Sequence, residues 1–117
     1  MIMVQALTLR LNAEACRILD AATIAAAGAA YTAVGTALEH PARQILLQNY
    51  TDATLWFSFN GVVDNFPLLP NALLIQDITA NKTFSEGFYL GEGKKLYCKQ
   101  LGVPTTGNVY FTVFYGE

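Results

Sequence analysis

Charged residues are scarce in this 117-residue sequence: only 14% are Asp, Glu, Lys or Arg, whereas 53% are hydrophobic. Disordered chains have the opposite composition, with high charge and low hydrophobicity, so disorder over most of the length is excluded. A domain of this size buries only about 60–70% of the surface that its unfolded chain exposes. Much of the remaining surface must be uncharged, which predicts association with a partner, most simply another copy of the chain.

Positive charge is equally limited. Seven Lys and Arg residues against nine Asp and Glu residues give a net charge of −2, and the longest basic run is Lys94–Lys95. Binding to a nucleic-acid backbone requires clustered cations that neutralise phosphates. We therefore expect no nucleic-acid partner.

The sequence contains one histidine, His40, and two cysteines, Cys16 and Cys98. No C-x-x-C pair is present, and a zinc site would need a carboxylate beside these three residues. A catalytic set of the Ser-His-acid type would have to use His40, which precedes Pro41 and has no orienting carboxylate or nucleophile visible in the sequence. We predict no catalytic residue, no metal ligand, no cofactor and no enzyme activity. One disulfide is possible, but two buried thiols are favoured.

Two further patterns have ordinary structural explanations. Asp52, Asp64 and Asp77 could converge on a carboxylate pair or a calcium site, but their spacing does not match an EF-hand, and capping of turns is the favoured role. Residues 91–95, GEGKK, look like a phosphate loop but lack the Ser or Thr after lysine and the following helix. We predict a hairpin turn there.

No segment has the composition of a membrane span or a signal peptide. Residues 21–38 are uncharged but consist mostly of Ala, Gly and Thr, between Asp20 and Glu39. The residues before them lack a basic start and a continuous apolar centre. We expect a soluble protein that is not exported by this route and has no membrane partner.

Short apolar or alternating runs follow one another from residue 30 onward, separated by Gly, Pro, Asn and Asp. This pattern predicts an all-β fold, a single-domain antiparallel β-sandwich of the jelly-roll type. The runs are residues 30–38, 43–49, 54–60, 72–79, 84–90, 94–100 and 107–115. The core is predicted to include Leu55, Phe57, Phe59, Leu74, Ile78, Val109, Phe111 and Val113. Gly61 should lie in a tight turn with Asn60 and have a positive φ.

One domain is expected over residues 1–117, with 1–28 as an N-terminal strand or arm and 29–117 as the sandwich core. The N-terminal part has two interpretations. Residues 4–11, VQALTLRL, alternate as in a strand, whereas residues 12–28 contain helix-forming alanines and a possible Asn12 cap. We favour strand, loop, strand.

Residues 45–82, ILLQNYTDATLWFSFNGVVDNFPLLPNALLIQDITANK, show a recognisable succession of features: a strand, N-x-T-D, a strand ending in S-F-N-G, D-N-F-P-L-L-P and a strand closing on T-A-N-K. The pattern continues upstream through residues 31–36, YTAVGT, and downstream through G-x-P-T-T-G-N-V-Y-F-T-V-F-Y. Over about residues 17–116 the sequence resembles small β-sandwich virion proteins of tailed bacteriophages, of the head decoration or cement type.

The resemblance implies a non-enzymatic structural protein that is assembled into the virion in the host cytoplasm. It implies a homo-oligomer, dimer or trimer, that binds the major capsid protein or a connector protein; a place in the neck, head fibre or tail is the alternative. The candidate partner-contact residues are the aromatic residues Trp56, Phe66, Tyr110 and Phe114. Two other classes remain open: a carbohydrate-binding β-sandwich, which needs exposed coplanar aromatics, and a small hydrolase, which needs a nucleophile beside His40.

Overall fold

The computed structural model describes residues 11–26, 30–78 and 90–116, which form two antiparallel sheets packed as a sandwich. The first sheet has the strand order β1-β9-β4-β7, with β2 also paired to β9, and the second sheet has the order β3-β8-β5-β6. The prediction of an all-β sandwich is confirmed. The strands are β1 (Leu11–Ala13), β2 (Arg17–Asp20), β3 (Thr32–Ala33), β4 (Gln44–Thr51), β5 (Leu55–Ser58), β6 (Phe66–Leu68), β7 (Ala72–Asp77), β8 (Tyr97–Gln100) and β9 (Gly107–Gly116).

Strands β4 and β9 form the centre of the first sheet. Leu47 of β4 lies opposite Phe111 of β9 on one side and Leu74 of β7 on the other. Because side chains alternate between the two faces of a strand, every second residue of β4 and β9 points towards the second sheet. This alternation appears directly in the burial of β9, where Val109, Phe111 and Val113 are fully buried.

The hydrophobic core lies between the two sheets. Every predicted core residue either belongs to this core or packs against it. Six of these are buried, whereas Phe59 and Leu74 are partly buried and pack against the core. The six are Leu55, Phe57, Ile78, Val109, Phe111 and Val113.

A buried polar residue, Asn49, connects the two sheets at one end of β4. Its amide nitrogen donates to the carbonyl oxygens of Ala53 and Leu68, each at 2.9 Å, and its oxygen accepts from the hydroxyl of Thr51 at 2.6 Å. Leu68 belongs to the second sheet. Asn49 is fully buried, so these bonds are needed to offset the loss of its hydration.

Residues 11–26, the described portion of the N-terminal part, contain two short strands and no α-helix. Strands β1 and β2 pair with successive parts of β9. Most of the segment 4–11 lies outside the described residues. In the described part of the alanine-rich stretch, a single 3-10 turn forms, Ala21–Thr23, with Asp20 as its N-cap. Within the described ranges, no helix is long and apolar enough to cross a membrane.

Two elements differ from the sequence-based expectations. The predicted strand over residues 30–38 is reduced to Thr32–Ala33, because Gly35 adopts a φ of 75° and breaks the extended conformation. Strand β6 was not predicted, since Pro67 indicated a turn; Pro67 is instead accommodated in the last strand of the second sheet. The run 84–90 lies outside the described residues except for Leu90, which is buried and not in a strand.

The positive φ predicted for Gly61 is confirmed, but Asn60 and Gly61 lie in the long connection 59–65 between β5 and β6 and not in a tight turn. The turn predicted within residues 91–95 is confirmed. Gly61 has a φ of 78°, and a Cβ there would lie 3.3 Å from the ring of Tyr97. Gly93 has a φ of 86°, and the amide of Lys94 donates to the carbonyl oxygen of Gly91. Residues 84–89, most of the strand predicted to precede this turn in a hairpin, lie outside the described part.

Candidate functional site

The outer face of the first sheet carries an exposed apolar patch. We call it the outer patch and define it by Ile18, Leu46, Tyr50, Leu73, Ile75 and Tyr110. The register places these residues on one face, with Ile18 opposite Tyr110 and Leu46 opposite Ile75. Ile18 is 58% exposed, Leu73 50% and Ile75 69%.

The outer patch is also uncharged. The other outward-facing side chains of its central strands are Gln44, Gln48, Asn108, Thr112 and Phe114. The acidic residues of the flanking strands, Asp20 and Asp77, lie at the strand ends. Contiguous exposed apolar patches of this kind often mark protein–protein contacts.

The four candidate contact residues do not form one surface. Tyr110 and Phe114 share the outer face of the first sheet, where Tyr110 belongs to the outer patch. Trp56 is half-buried in β5, where it lies opposite Lys99 and Pro67 of the second sheet. Phe66 points into the sandwich and stacks on Phe57 with a ring distance of 5.6 Å.

A cleft opens between the two sheets where both end, at β6 and β7. It has a volume of about 380 Å³. Its walls are apolar except for Gln76 of β7. The lining residues are Phe59, Phe66, Pro67, Leu68, Leu74 and Gln76.

The exposed aromatic residues of the first sheet do not form a flat platform for a sugar ring. The rings of Tyr50 and Tyr110 meet at 70°, with centroids 5.8 Å apart, so that the edge of one faces the other. Trp56 belongs to the opposite sheet. A carbohydrate-binding module stacks sugars on coplanar exposed rings, and these two tyrosines have the wrong relative orientation for it.

A buried cluster of polar side chains lies between β1–β2 and the connection that precedes β4. Glu14 accepts hydrogen bonds from the Nη2 atom of Arg17 at 2.7 Å, from the backbone amide of Glu39 at 3.1 Å, and faces Nδ1 of His40 at 2.8 Å. Arg17 also donates to the carbonyl oxygens of Thr36 and Ala37. The side chains of Glu14 and Arg17 are only 3% and 7% exposed.

The charge state of Glu14 follows from two opposing causes. Burial alone raises the pKa of this carboxyl, because it disfavours the charged form. Hydrogen bonds from Arg17, His40 and the Glu39 amide act in the other direction and leave the pKa of Glu14 below its ordinary value. Glu14 is therefore ionised and pairs with Arg17 at neutral pH.

The expectation that His40 has no orienting carboxylate is wrong. Glu14 supplies one, and the ring of His40 also stacks on that of Tyr115, with a centroid distance of 3.6 Å. This contact could not be predicted from local sequence patterns, because 26 residues separate the two partners. The geometry holds the imidazole in place, but the hydrogen bonds and ion pairs of His40 in the described part include no Ser, Thr or Cys nucleophile.

Glu14, Glu39 and His40 bring their potential ligand atoms within 4.8 Å of one another. Arg17 argues against a metal ion at this place. Its guanidinium already occupies Oε1 of Glu14, and the Glu39 amide and His40 occupy Oε2. A divalent cation would have to displace a buried positive charge, so we assign the cluster to the fold.

The cysteines and aspartates lie in separate places. Neither Cys16 nor Cys98 is in a disulfide; Cys98 is buried, but Cys16 is exposed, so the expectation of two buried thiols is wrong for Cys16. Burial raises the pKa of Cys98 to about 12. Asp52 accepts hydrogen bonds from the amides of Thr105 and Thr106. It therefore caps the loop before β9, which is distant from Asp52 in sequence.

Asp64 serves a different group on the second sheet. It accepts a hydrogen bond from the hydroxyl of Tyr31 and lies 3.3 Å from Nζ of Lys99. The Lys99 ammonium in turn lies 4.7 Å from the centre of the Tyr31 ring. These contacts tie the loop that carries Asp64 to β8, and they involve none of the other aspartates.

Neither a scan of the chain against protein-family models nor a search of curated proteins gives a match.

Proposed function

We propose that this chain is a non-enzymatic structural protein of a tailed-bacteriophage virion, of the head decoration or cement type. In this role it binds the major capsid protein or a connector protein as a homo-oligomer, dimer or trimer. The observation that carries the proposal is the uncharged outer patch on the first sheet, together with the sequence resemblance over about residues 17–116. Such a patch suits adhesion to another protein surface and offers no chemistry of its own.

The strand order supports the finer assignment of a jelly-roll topology. Going along the chain from β2, the strands alternate between the sheets except for β5 and β6, which are neighbours in the second sheet. The result is a four-stranded sheet of order β2-β9-β4-β7 that faces a four-stranded sheet of order β3-β8-β5-β6. Jelly rolls of eight strands are common in viral capsid proteins.

In the proposed assembly the outer patch faces the particle. Ile18 and Tyr110 are paired at one side of the patch, and Phe114 extends the aromatic surface along β9. A closed symmetric oligomer would present identical patches to a repeating lattice, so that several weak contacts act together. Trp56 is available on the opposite sheet for a second neighbour.

The non-enzymatic part of the proposal rests on the use that the fold makes of its chemically reactive groups. Glu14 and Arg17 are buried against each other, and Glu14 holds His40 against the fold. Cys98 belongs to the hydrophobic core. These groups have structural partners, and the described part of the chain shows no convergence of nucleophile, base and oxyanion donors.

The experiment is a binding assay with virions that lack this protein. We expect the purified chain to bind them, and we expect Ile18→Lys to reduce binding at least tenfold because it puts a charge into the outer patch. Val103→Lys is the matched control: Val103 is 75% exposed in a loop outside the patch, so the same kind of change there should leave binding unaltered. Failure of the unmodified chain to bind would overturn the proposal.

Electron cryo-microscopy of the decorated particle then locates the copies. Density on the capsid faces is the expected result for a decoration protein. Density at the neck, head fibre or tail would replace the capsid assignment with the alternative position. Binding of the chain to glycans instead of particles, with Tyr110→Ala abolishing it, would support a carbohydrate-binding module and contradict the structural assignment.

A further inference from the structure

Strand β7 has one edge paired to β4, and no strand of the described part pairs with its other edge. The amide of Ile78 donates to the carbonyl oxygen of Arg43, which fixes the alternation of hydrogen bonds along this antiparallel pair. Ala72, Leu74 and Gln76 therefore direct their backbone groups towards β4. Leu73 and Ile75 direct theirs away from the sheet.

Between Ala72 and Gln76 this edge lacks the features that normally prevent pairing with another chain; the one charged residue of β7, Asp77, is its last. Edge strands are usually protected by charged residues, proline, a bulge or a very short length. Residues 73–76 of β7 are Leu, Leu, Ile and Gln, and Leu73 and Ile75 are 50% and 69% exposed. By contrast, the neighbouring edge strand β6 is three residues long and contains Pro67, which cannot donate a hydrogen bond.

We propose that β7 pairs antiparallel with β7 of a second copy, about a twofold axis that passes by Leu74. Leu73 of each copy then lies opposite Ile75 of the other and exchanges both backbone hydrogen bonds with it. The two Leu74 residues face each other as the central, non-hydrogen-bonded pair. The first sheet becomes continuous through both copies. This inference rests on the proposed function only in that it specifies the homo-oligomer as a dimer formed through β7.

The sequence of β7 selects this register. The core-facing sides of the two sheets must coincide in the dimer. Because side chains alternate along a strand, the register can therefore shift only by two residues at a time. Centring on Ile75 would set Leu73 opposite Asp77, an apolar residue against a carboxylate. Centring on Leu73 would require Asn71 to act as a strand residue, and its φ is 64°. Only the register about Leu74 matches apolar residues throughout Leu73–Ile75.

The cleft gives this pairing additional apolar area. It opens at the same side of the sandwich, between β6 and β7, and Leu74 forms part of its wall. In the proposed dimer the clefts of the two copies face each other across the Leu74 pair. Phe66 and Leu68, which line the cleft, then lose contact with water as well. Because the paired residues 72–76 are uncharged and self-complementary, they fit another copy better than a charged partner.

Disulfide crosslinking tests the register. In a Cys16→Ser background, Leu74→Cys should form a covalent dimer under mild oxidation, since directly opposed residues of a non-hydrogen-bonded pair bring their Cβ atoms close to disulfide distance. Leu73→Cys and Ile75→Cys are matched controls in the same strand. Each faces the other position in the partner, so neither should crosslink with itself. Efficient crosslinking of Ile75→Cys in place of Leu74→Cys would overturn the register.

Light scattering after size exclusion, over a range of concentrations, tests the pairing itself without cysteine substitutions. The unmodified chain should be dimeric, and Ile75→Lys should shift it to a monomer with unchanged circular dichroism. Ile18→Lys is the control, because it places the same charge in the outer patch but on β2, away from β7. A monomeric unmodified chain, or equal dissociation by both variants, would overturn the proposed pairing. Virion binding is measured separately, so a failure of the proposed function is distinguishable from a failure of this dimer.

Discussion

Of the glycines in the described ranges, Gly107 has the least room for a side chain. Its φ is 96°, and a Cβ at this position would lie 2.0 Å from the carbonyl oxygen of Tyr50, in the neighbouring strand β4. A left-handed conformation costs an ordinary residue about 1–2 kcal/mol. The contact with the β4 backbone adds to this, because backbone atoms cannot move aside as a flexible side chain would.

We predict that Gly107→Ala lowers the free energy of unfolding by more than about 2 kcal/mol, measured by urea denaturation. Gly93→Ala is the matched control. Gly93 also has a positive φ, 86°, but a Cβ there would meet nothing within 4 Å. That variant should lose only about 1 kcal/mol. Equal losses for the two variants would contradict the role of the close approach to Tyr50.

Asp52 should make the stability depend on pH in the acid range. Hydrogen bonds from the side chain and amide of Thr105 and the amide of Thr106 lower the pKa of Asp52 from 3.8 to about 2. A carboxyl whose pKa is lower in the folded state stabilises the fold above its unfolded pKa and loses that effect as the pH falls. The loss should occur between about pH 4 and pH 2.

We predict that Asp52→Asn reduces stability at pH 7 and flattens the decline between pH 4 and pH 2. Urea denaturation at a series of pH values measures both effects. The chain with Asp52 should approach the stability of the variant at the acid end, where the carboxyl is protonated. Parallel pH profiles for the two proteins would show that the loop contact with Thr105 does not contribute.

At the scale of secondary-structure elements, the Glu14–Arg17 pair links the β1–β2 segment to the connection between β3 and β4. Both segments have little regular structure. Glu14 lies between β1 and β2, and Arg17 donates to the carbonyl oxygens of Thr36 and Ala37 in the connection before β4. The Nη1 atom of Arg17 is buried and has no hydrogen-bond partner, so the arginine depends on its remaining bonds. Loss of Glu14 would leave a buried charge without its counter-ion.

We predict that Glu14→Gln lowers the free energy of unfolding by about 3–5 kcal/mol, the usual result of removing one partner from a buried ion pair. Glu39→Gln is the control with the same chemical change, since Glu39 contacts the cluster through its backbone amide. It should be nearly neutral. Chemical denaturation at pH 7 measures both variants, and similar losses would mean that the ion pair is not the cause.

The elements that could be predicted from the sequence are short apolar or alternating runs bounded by turn residues. Strands β5 and β9 follow from apolar residues at every second position, because one face of each strand is buried. Strands β4 and β7 follow from continuous apolar runs, residues 45–47 and 72–75, that end at polar residues. Strand β6 could not be predicted, because the cost of Pro67 depends on whether its strand lies at a sheet edge. That position is a property of the tertiary fold.

The same reasoning applies to the candidate site. Aromatic residues on strand faces could be predicted, but not which of them share a surface. Tyr110 and Phe114 are four residues apart in one strand and therefore lie on the same face. Trp56 and Phe66 belong to the second sheet, and their distance from Tyr110 depends on how the sheets pack. The contact of Glu14 with His40 is likewise created only by folding.

At the scale of the whole molecule, the reactivity of the Cys98 thiol indicates whether the hydrophobic core is intact. Cys98 is fully buried on β8, and burial raises the pKa of its thiol to about 12. Both effects suppress its reaction with thiol reagents in the folded protein, because the thiolate is the reactive form. In a Cys16→Ser variant, we predict that labelling of Cys98 follows global unfolding.

The measurement compares labelling of Cys98 with Trp56 fluorescence and circular dichroism during urea denaturation. All three transitions should coincide if the two sheets unfold together, as expected for a small domain with one core. Circular dichroism of the native protein should be dominated by β-structure. Labelling of Cys98 at urea concentrations where circular dichroism is still native would show that the second sheet opens independently of the first.

The position of β9 also affects when this protein can fold during its synthesis. Strand β9 lies between β2 and β4, so the first sheet has no continuous centre until residues 107–116 are available. A ribosome-bound chain that ends before Gly107 can join β4 to β7, but β1 and β2 have no strand to pair with. Folding must therefore wait for β9 to leave the ribosome, and until then the apolar strands depend on chaperones or on rapid completion of the chain to avoid aggregation.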